Sequence, residues 1–199
     1  MKRYVLTILA LGFTIAAGTA SAQTTPPVRY RGVVETVSPT AVDIKTRDGK
    51  TISIDLTTAK YATVTKSELS DIKPDSYIGT ASVPQPDGTA KALEVSVFVN
   101  ALRGVGDGSY PWDMPGSTMT NGAVGDLVVS NGRIMTVKYK GGEKKIFVPE
   151  DVPIVFIAPG DNSKVAVGAH VMAVTVKGDD GKLKAAFLLA GQNGLVPPM

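Results

Sequence analysis

The sequence contains no cysteine and a single histidine, His170. A chain without cysteine has no disulfide, no thiolate metal ligand and no thiol nucleophile, so its own core must hold it together. Zinc sites take three or four ligands, drawn mostly from Cys, His and carboxylates. Because no second histidine is present, we interpret His170 as an ordinary strand residue rather than a metal ligand or general base. We expect no metal and no cofactor.

Long apolar runs are also lacking, except within residues 1–22. Lys2 and Arg3 precede an apolar stretch from residue 5 to residue 17, and Ala20-Ser21-Ala22 forms a small-residue cleavage pattern. This order predicts a secretory signal peptide cleaved after Ala22. The stretch is shorter than the ~20 residues that a membrane span needs. We therefore expect a periplasmic protein without a membrane span, with an extracellular location as the alternative.

The chain has no marked excess of charge of one sign. It carries 21 Lys and Arg residues against 18 Asp and Glu residues, a formal net charge of +3. Without Lys2 and Arg3 the counts are 19 and 18, which leaves +1. Nucleic-acid binding rests on basic groups that neutralise phosphates. The charge balance therefore argues against a nucleic-acid partner.

Helical periodicity is nearly absent, and period-two alternation takes its place. Val42 and Ile44 alternate with polar residues before Asp48-Gly49, and Ile52 and Ile54 alternate after it. An Asp-Gly turn between two alternating runs indicates a β-hairpin. The pattern predicts an all-β protein.

The chain aligns with itself at an offset of 93 residues without a gap, which indicates an internal duplication. The aligned residues include turn glycines, lysines and strand residues: Gly32 with Gly125, Val34 with Leu127, Lys45 with Lys138, Gly49 with Gly142, and Asp87-Gly88 with Asp180-Gly181. We expect the two copies to superpose residue by residue at this offset.

The duplication predicts two tandem domains, residues 23–99 and residues 122–199 with a short C-terminal tail, joined by residues 100–121. The sequence of each copy predicts five strands. In the first copy it also predicts a short helix after the third strand, capped by Ser67. This order is typical of a small OB-like five-stranded β-barrel, and an open five-stranded sandwich is the alternative. The strands are predicted at 29–38, 41–47, 50–57, 76–84 and 89–99, and at 122–130, 133–140, 143–149, 169–177 and 182–190.

Four stretches resemble the DUF5666 family of exported bacterial domains: Gly32-Val33-Val34-Glu35-Thr36-Val37, Asp48-Gly49-Lys50, Leu69-Ser70-Asp71-Ile72-Lys73 and Asp87-Gly88. The resemblance covers residues 31–98 and, more faintly, 124–190; it implies an OB-like barrel and no activity. Where the family has Gly-Asp, this chain has Asp75-Ser76 and Gly168-Ala169. A glycine there indicates a backbone position near positive φ, which Asp tolerates better than most residues.

Candidate chemistry is sparse. Met114 and Met119 could join His170 in holding Cu(I), but they lack the dense spacing of copper carriers. Asp107 and Asp113 could act as paired carboxylates, but acidic residues in a Gly-rich loop usually form turns. No Gly-x-Ser-x-Gly motif occurs. We therefore expect a protein that is not an enzyme.

The segment from residue 103 to residue 121 holds the only tryptophan, Trp112, between Pro111 and Pro115. A large aromatic between prolines predicts an ordered loop rather than a flexible tether. Trp112 either fills the interface between the two domains or forms a ligand site with Arg103, Tyr110 and Asp113. The favoured function is a non-catalytic binding or adaptor protein whose partner is a glycan or an envelope protein. A structural protein of the envelope is the alternative, and an enzyme or a copper-binding protein that uses the inter-domain loop ranks below it.

Overall fold

The computed structural model describes residues 27–128 and 133–198, with only the backbone described for residues 126–128. The predicted signal peptide lies outside these residues. Within them the chain forms strands and three one-turn 3-10 helices, Leu69–Asp71, Asn100–Leu102 and Asn162–Lys164. The all-β prediction is confirmed. The strands are β1 (Val28–Val37), β2 (Ala41–Thr46), β3 (Thr51–Asp55), β4 (Lys60–Lys66), β5 (Tyr77–Pro84), β6 (Ala90–Ala92), β7 (Val95–Phe98), β8 (Gly108–Pro111), β9 (Thr118–Val128), β10 (Ile134–Tyr139), β11 (Gly142–Phe147), β12 (Ile154–Gly160), β13 (His170–Lys177) and β14 (Leu183–Gly191).

All described strands belong to one sheet, in the order β13-β1-β2-β3-β14-β4-β12-β7-β5-β6-β11-β10-β9-β8. Two further pairings, β13 with β14 and β5 with β9, close two rings of five strands. One ring contains β1, β2, β3, β14 and β13, and the other contains β9, β10, β11, β6 and β5. Each ring therefore combines three strands of one copy with two strands of the other.

This exchange corrects the expected tandem arrangement, in which residues 23–99 and 122–199 would each close a separate barrel. The cause is β4, a strand that the sequence analysis missed. β4 pairs with its repeat counterpart β12 and with β14 of the second copy. Because β4 runs through the middle of the sheet, the strands that follow it join the other ring.

The hydrophobic cores follow the rings and not the copies. Side chains that face into a ring alternate along its strands with side chains on the opposite face. The core of the first ring holds Val34, Val42, Ile44 and Ile54 with Val171, Ala173, Ala185 and Leu188. The core of the second ring holds Ile78, Ala90, Val95 and Val97 with Val124, Met135, Val137 and Ile146.

The β4–β12 pair lies at the centre of the duplication. Val64 pairs directly with Ile157 in antiparallel register, and these two residues are one repeat offset apart. Residues related by the repeat meet each other only on an axis of approximate two-fold symmetry. Val64 and Ile157 pack with Ala62 and Val155 in a third, smaller buried cluster on this axis.

The ungapped alignment is wrong in the first strand of the second copy. Val37 pairs with Val42 in the first copy, and Leu127 pairs with Met135 in the second, so the connection is three residues longer in the second copy. The structural counterpart of Gly32 is consequently Gly122 rather than Gly125. A Cβ at Gly32 would overlap the carbonyl oxygen of Lys45, and a Cβ at Gly122 would overlap that of Lys138.

The first hairpin also differs by one residue between the copies. Lys45 pairs with Thr51, whereas Lys138 pairs with Glu143, so the turn of the second copy is one residue shorter. The turn glycine that corresponds to Gly49, at φ 82°, is therefore Gly141, at φ 106°. The predicted equivalence of Gly49 with Gly142 is wrong for this reason.

The predicted helix after the third strand is a single 3-10 turn, Leu69–Asp71, and its N-cap is Glu68 rather than Ser67. The carboxylate of Asp71 accepts hydrogen bonds from the Ser67 hydroxyl at 2.7 Å and the Glu68 backbone N–H at 3.1 Å. Asp75 has φ 65° and Gly168 has φ 83°, as expected for the turn that both copies share.

Candidate functional site

A cavity of about 160 Å³ lies against the central β4–β12 pair. Ala62, Val64, Val155 and Ile157 form the part of its wall that these two strands supply. A dry, apolar cavity of about 150 Å³ is large enough to hold a molecule of the size of benzene. The cavity can therefore accept a small organic ligand.

Strand alternation explains which side chains face the cavity. Val95 and Val97 of β7 point into a ring core, which turns Glu94, Ser96 and Phe98 to the opposite face, where they line the cavity. In β14 the same alternation places Leu188 in the other ring core and turns Phe187 and Leu189 to the cavity. The two copies therefore contribute equivalent positions to one shared wall.

The side chains at these equivalent positions differ in size and polarity. The first copy supplies small or polar residues where the second supplies bulky apolar ones: Gly79 against Met172, Glu94 against Phe187, and Ser96 against Leu189. A side chain as large as Met or Leu at positions 79 and 96 would occupy space on this side of the axis. At these positions the second copy therefore contributes an apolar half, whereas the half from the first copy carries the polar groups of Glu94 and Ser96 among apolar side chains such as Val64 and Phe98.

The segment after β7 covers one side of the cavity with Leu102, Val105, Tyr110 and Trp112. Within this segment β8 pairs with β9. The ammonium group of Lys144 donates to the hydroxyls of Ser109, Thr118 and Thr120 at 2.9, 2.9 and 3.2 Å, which fastens β8 and β9 to β11. These contacts hold Tyr110 and Trp112 in place.

The C-terminal tail covers another side of the cavity with Pro197 and Pro198. The tail turns at Gln192, whose backbone N–H donates to the carbonyl oxygen of Val64 at 2.9 Å. Gly191 allows this turn, because a Cβ there would overlap the carbonyl oxygen of Leu195.

Tyr110 and Trp112, two of the four predicted site residues, both line the cavity. Their rings lie 6.1 Å apart at an angle of 58°. The guanidinium of Arg29 stacks on the indole of Trp112 at 3.7 Å from the ring centroid. Trp112 is therefore half-buried between a cation and the cavity.

The other two predicted residues lie elsewhere. Asp113 pairs with Arg29 at 3.3 Å and with Arg31 at 2.5 Å, beside Trp112 and outside the cavity wall. Arg103 donates to the carboxylate of Asp75 at 2.7 Å and to the backbone oxygen of the same residue at 2.8 Å. The structure thus brings Tyr110, Trp112 and Asp113 together and engages Arg103 with a turn of the first copy.

Glu94 is the residue of this site that the sequence analysis missed. It lies at the break between β6 and β7 and is 2% exposed. The pKa of the Glu94 carboxyl is raised to about 8, chiefly by burial; the Arg31 guanidinium acts to lower this pKa and the negative charge of Asp113 acts to raise it. The signal was present in the repeat, because position 94 carries a carboxylate where position 187 carries a phenylalanine.

Two polar atoms of the cavity wall are buried and without a hydrogen-bond partner among the described residues, Asn121 Oδ1 and Trp112 Nε1. The amide nitrogen of Asn121 donates to the carbonyl oxygen of Val105 at 3.1 Å, which fixes the orientation of the amide group. A buried acceptor without a donor costs free energy comparable to a lost hydrogen bond. A ligand with an N–H or O–H group would remove that cost at Asn121.

The remaining candidate residues have other surroundings. Met119 is buried and lines the cavity, whereas Met114 is exposed. The carboxylate of Asp107 accepts the backbone N–H of Lys140 at 2.9 Å. His170 lines a separate open groove with the basic residues Arg31, Lys45 and Arg47. Among the described residues no group of three or more His, Asp or Glu side chains is placed to hold a metal ion.

Comparisons of this chain with family models, curated proteins and solved structures give no match. In the described part of the chain, no helix has the length and apolar character needed to cross a membrane.

Proposed function

We propose that this protein is a non-catalytic binding protein that holds a small, largely apolar ligand in the cavity beside the β4–β12 pair. The observation that carries the proposal is the cavity itself, an apolar space of about 160 Å³ with a few polar groups on one side. Such a combination is typical of small-molecule sites, because apolar walls supply affinity and a few polar groups fix orientation.

The chemistry of the wall supports binding rather than catalysis. Besides the indole N–H of Trp112, its polar members are the side chains of Glu94, Ser96, Tyr110 and Asn121. Nucleophilic catalysis needs a nucleophile in hydrogen-bond contact with a base, and no described hydrogen bond joins two of these side chains. The single carboxyl group is held in the neutral form near pH 7 by its burial, since its pKa is about 8.

The proposal includes an OB-like classification of each ring. Three consecutive strands, β1 to β3, are closed by β13 and β14, and β3 meets β14 in parallel. In the second ring β11 meets β6 in parallel in the same way. This order supports an OB-like barrel completed by exchanged strands, in agreement with the resemblance to the DUF5666 family. The predicted signal peptide supports a periplasmic location.

The walls favour a small apolar ligand over the glycan or envelope-protein partner expected from sequence. A glycan carries many hydroxyl groups, and burying each without a partner costs free energy. Four polar side chains cannot satisfy a sugar ring that enters the cavity.

The only tryptophan lines the cavity, so its fluorescence reports on occupancy. We expect neutral pentan-1-ol to shift the emission of Trp112 and to raise the melting temperature, because a ligand of the native state stabilises it by mass action. Ser96→Leu copies the side chain of Leu189 and should fill the cavity and abolish the response. Ser53→Leu, at an exposed position of β3, is the matched control and should leave the response unchanged. An unaltered response in Ser96→Leu would place the alcohol elsewhere and refute the proposal.

A further inference from the structure

The cavity wall combines hydrogen-bond acceptors with aromatic rings, and none of the described residues that line it is Lys, Arg or His. Glu94 supplies a carboxyl group and Asn121 supplies an unpartnered amide oxygen. Tyr110, Trp112, Phe98 and Phe187 supply four rings. Arg29 contacts Trp112 and Arg31 pairs with Asp113, but neither arginine lines the cavity in the part of the chain that the structure describes.

Each of these features complements a cation that carries N–H groups. A carboxylate gains most from a positively charged donor, since such hydrogen bonds are about twice as strong as neutral ones. Aromatic faces attract a cation through the negative charge of the ring quadrupole, most strongly where water is excluded. The amide oxygen of Asn121, 6% exposed as a residue, accepts a further N–H.

We propose that the ligand is a small primary amine, an ammonium group on a short apolar chain, whose nitrogen pairs with Glu94 and whose chain packs against the apolar half of the cavity. This inference rests on the proposed function, because it names the ligand class of the same site. The apolar half contributed by Met172, Phe187 and Leu189 receives the carbon chain.

The charges behind the wall are compatible with such a ligand. Asp113 lies between Arg29 and Arg31 and pairs with both. Glu94 holds a proton at neutral pH when the cavity is empty. An entering ammonium ion replaces that proton, because the paired carboxylate ionises as the cation arrives. The net charge of the buried cluster therefore stays the same, and no uncompensated charge is created in the interior.

The proton exchange sets the pH dependence of binding. The charged groups that act on Glu94 are Arg31 from β1 and Asp113 from the segment after β8; Tyr110 in the wall stays neutral, because burial raises its pKa above the usual value of 10. Below pH 8, binding of one amine releases about one proton from Glu94. The affinity for the amine should therefore fall about tenfold for each unit by which the pH is lowered. A neutral alcohol releases no proton and should bind equally at pH 6 and pH 8.

The experiment compares pentylamine, pentan-1-ol and pentanoate at pH 8 with the full mature protein, by Trp112 fluorescence and by calorimetry. We expect the amine to bind at least about tenfold more tightly than the alcohol, the value for one charge-assisted hydrogen bond. Glu94→Gln should reduce the amine-to-alcohol affinity ratio to about one. Glu150→Gln removes an exposed carboxylate and should leave the ratio unchanged.

The outcomes separate the two proposals. Alcohol binding as tight as amine binding, or tighter binding of pentanoate, would refute the amine and leave the cavity as a binding site. No response to any of the three molecules would refute the amine and the proposed function together. A melting temperature measured for every variant shows that each one is folded, so that lost binding is attributable to the site.

Discussion

Single side chains decide the character of the cavity. The backbones of the two copies supply equivalent positions to its wall, and the difference between the halves arises from pairs such as Glu94 with Phe187 and Ser96 with Leu189. A carboxyl group in this position is costly, because burial disfavours its charged form. Ionisable residues whose pKa is strongly shifted by burial are typical of functional sites.

The buried carboxyl predicts a pH-dependent stability. The pKa of Glu94 rises from 4.5 to about 8 on folding, so the folded state binds the proton more tightly than the unfolded chain. Stability from this group is greatest below pH 4.5 and declines as the pH rises to 8, by a few kcal/mol at ~1.4 kcal/mol per pKa unit. Urea unfolding between pH 5 and pH 8 measures the decline. Glu94→Gln should make it smaller, and an equal decline in the variant would show that other groups cause it.

Trp112 contacts Arg29 and lines the cavity, so one substitution tests both interpretations of this residue. Trp112→Ala removes an indole that contacts Arg29 at 3.7 Å and lines the cavity. We expect a loss of about 2 kcal/mol of stability, less than for a fully buried tryptophan, together with weaker binding of pentan-1-ol by calorimetry. Trp112→Phe should lose less of both. Unchanged stability and binding in Trp112→Ala would show that this side chain is dispensable.

At the scale of elements, the register of β1 and β9 is set by close approach of the backbone. Gly32 and Gly122 each face a carbonyl oxygen of the neighbouring strand, and neither has room for a Cβ. A β-bulge in β1 and another in β9 accompany these glycines. The glycine, rather than a fixed count of residues, marks the equivalent point of the two strands.

The corrected register predicts the effect of three alanine substitutions. Gly32→Ala and Gly122→Ala should each cost at least about 1–3 kcal/mol, because the new methyl group collides with backbone that cannot move aside. Gly125→Ala should cost less, since its nearest neighbour at 3.0 Å is the flexible end of the Lys138 side chain. Thermal unfolding of the three variants checks the order. Similar losses for Gly32→Ala and Gly125→Ala, with Gly122→Ala tolerated, would restore the ungapped alignment.

At the scale of the whole molecule, exchange of strands makes the two copies depend on each other. A fragment that ends before residue 100 contains β1 to β3 without the strands β13 and β14 that close their ring. It therefore lacks the strands that, in the structure, cover its open edges and the apolar face of Val34, Val42 and Ile44.

We therefore expect residues 23–99 and residues 100–199 to lack a stable monomeric fold when produced separately, and to form a one-to-one complex when refolded together. Circular dichroism and size-exclusion chromatography measure both properties. A cooperative unfolding transition of monomeric 23–99 would contradict the exchange. Cleavage of the backbone of the folded full-length protein between residues 104 and 107 should leave the two fragments bound to each other.

The predicted export signal is tested on the whole protein. Cleavage after Ala22 predicts that the mature chain begins at Gln23, because Ala20 and Ala22 occupy the small-residue positions of the cleavage pattern. The intact mass of the protein from the periplasmic fraction measures the start site. A chain that keeps residues 1–22 in the membrane fraction would contradict the assignment.

Several features of this protein could be predicted from local patterns in its sequence. Period-two alternation and Asp-Gly turns indicate strands and hairpins because side-chain direction and turn geometry depend on neighbouring residues alone. The positive φ at Asp75 and Gly168 was predictable for the same reason. The setting of Trp112 between Pro111 and Pro115 predicted an ordered segment, and both Tyr110 and Trp112 line the cavity.

Only the tertiary structure decided which copy completes which ring. Equivalent strands with similar local sequence are available in both copies, so the local sequence does not distinguish closure within a copy from closure across copies. The strand β4, Lys-Tyr-Ala-Thr-Val-Thr-Lys, was missed because it contains few apolar residues. Its pairing with β12 on one side and β14 on the other stabilises it. Glycines three residues apart, Gly122 and Gly125, concealed the longer connection. Packing decided the burial of Glu94, because the local sequence does not determine whether a carboxyl group at a strand break is in water or in a cavity.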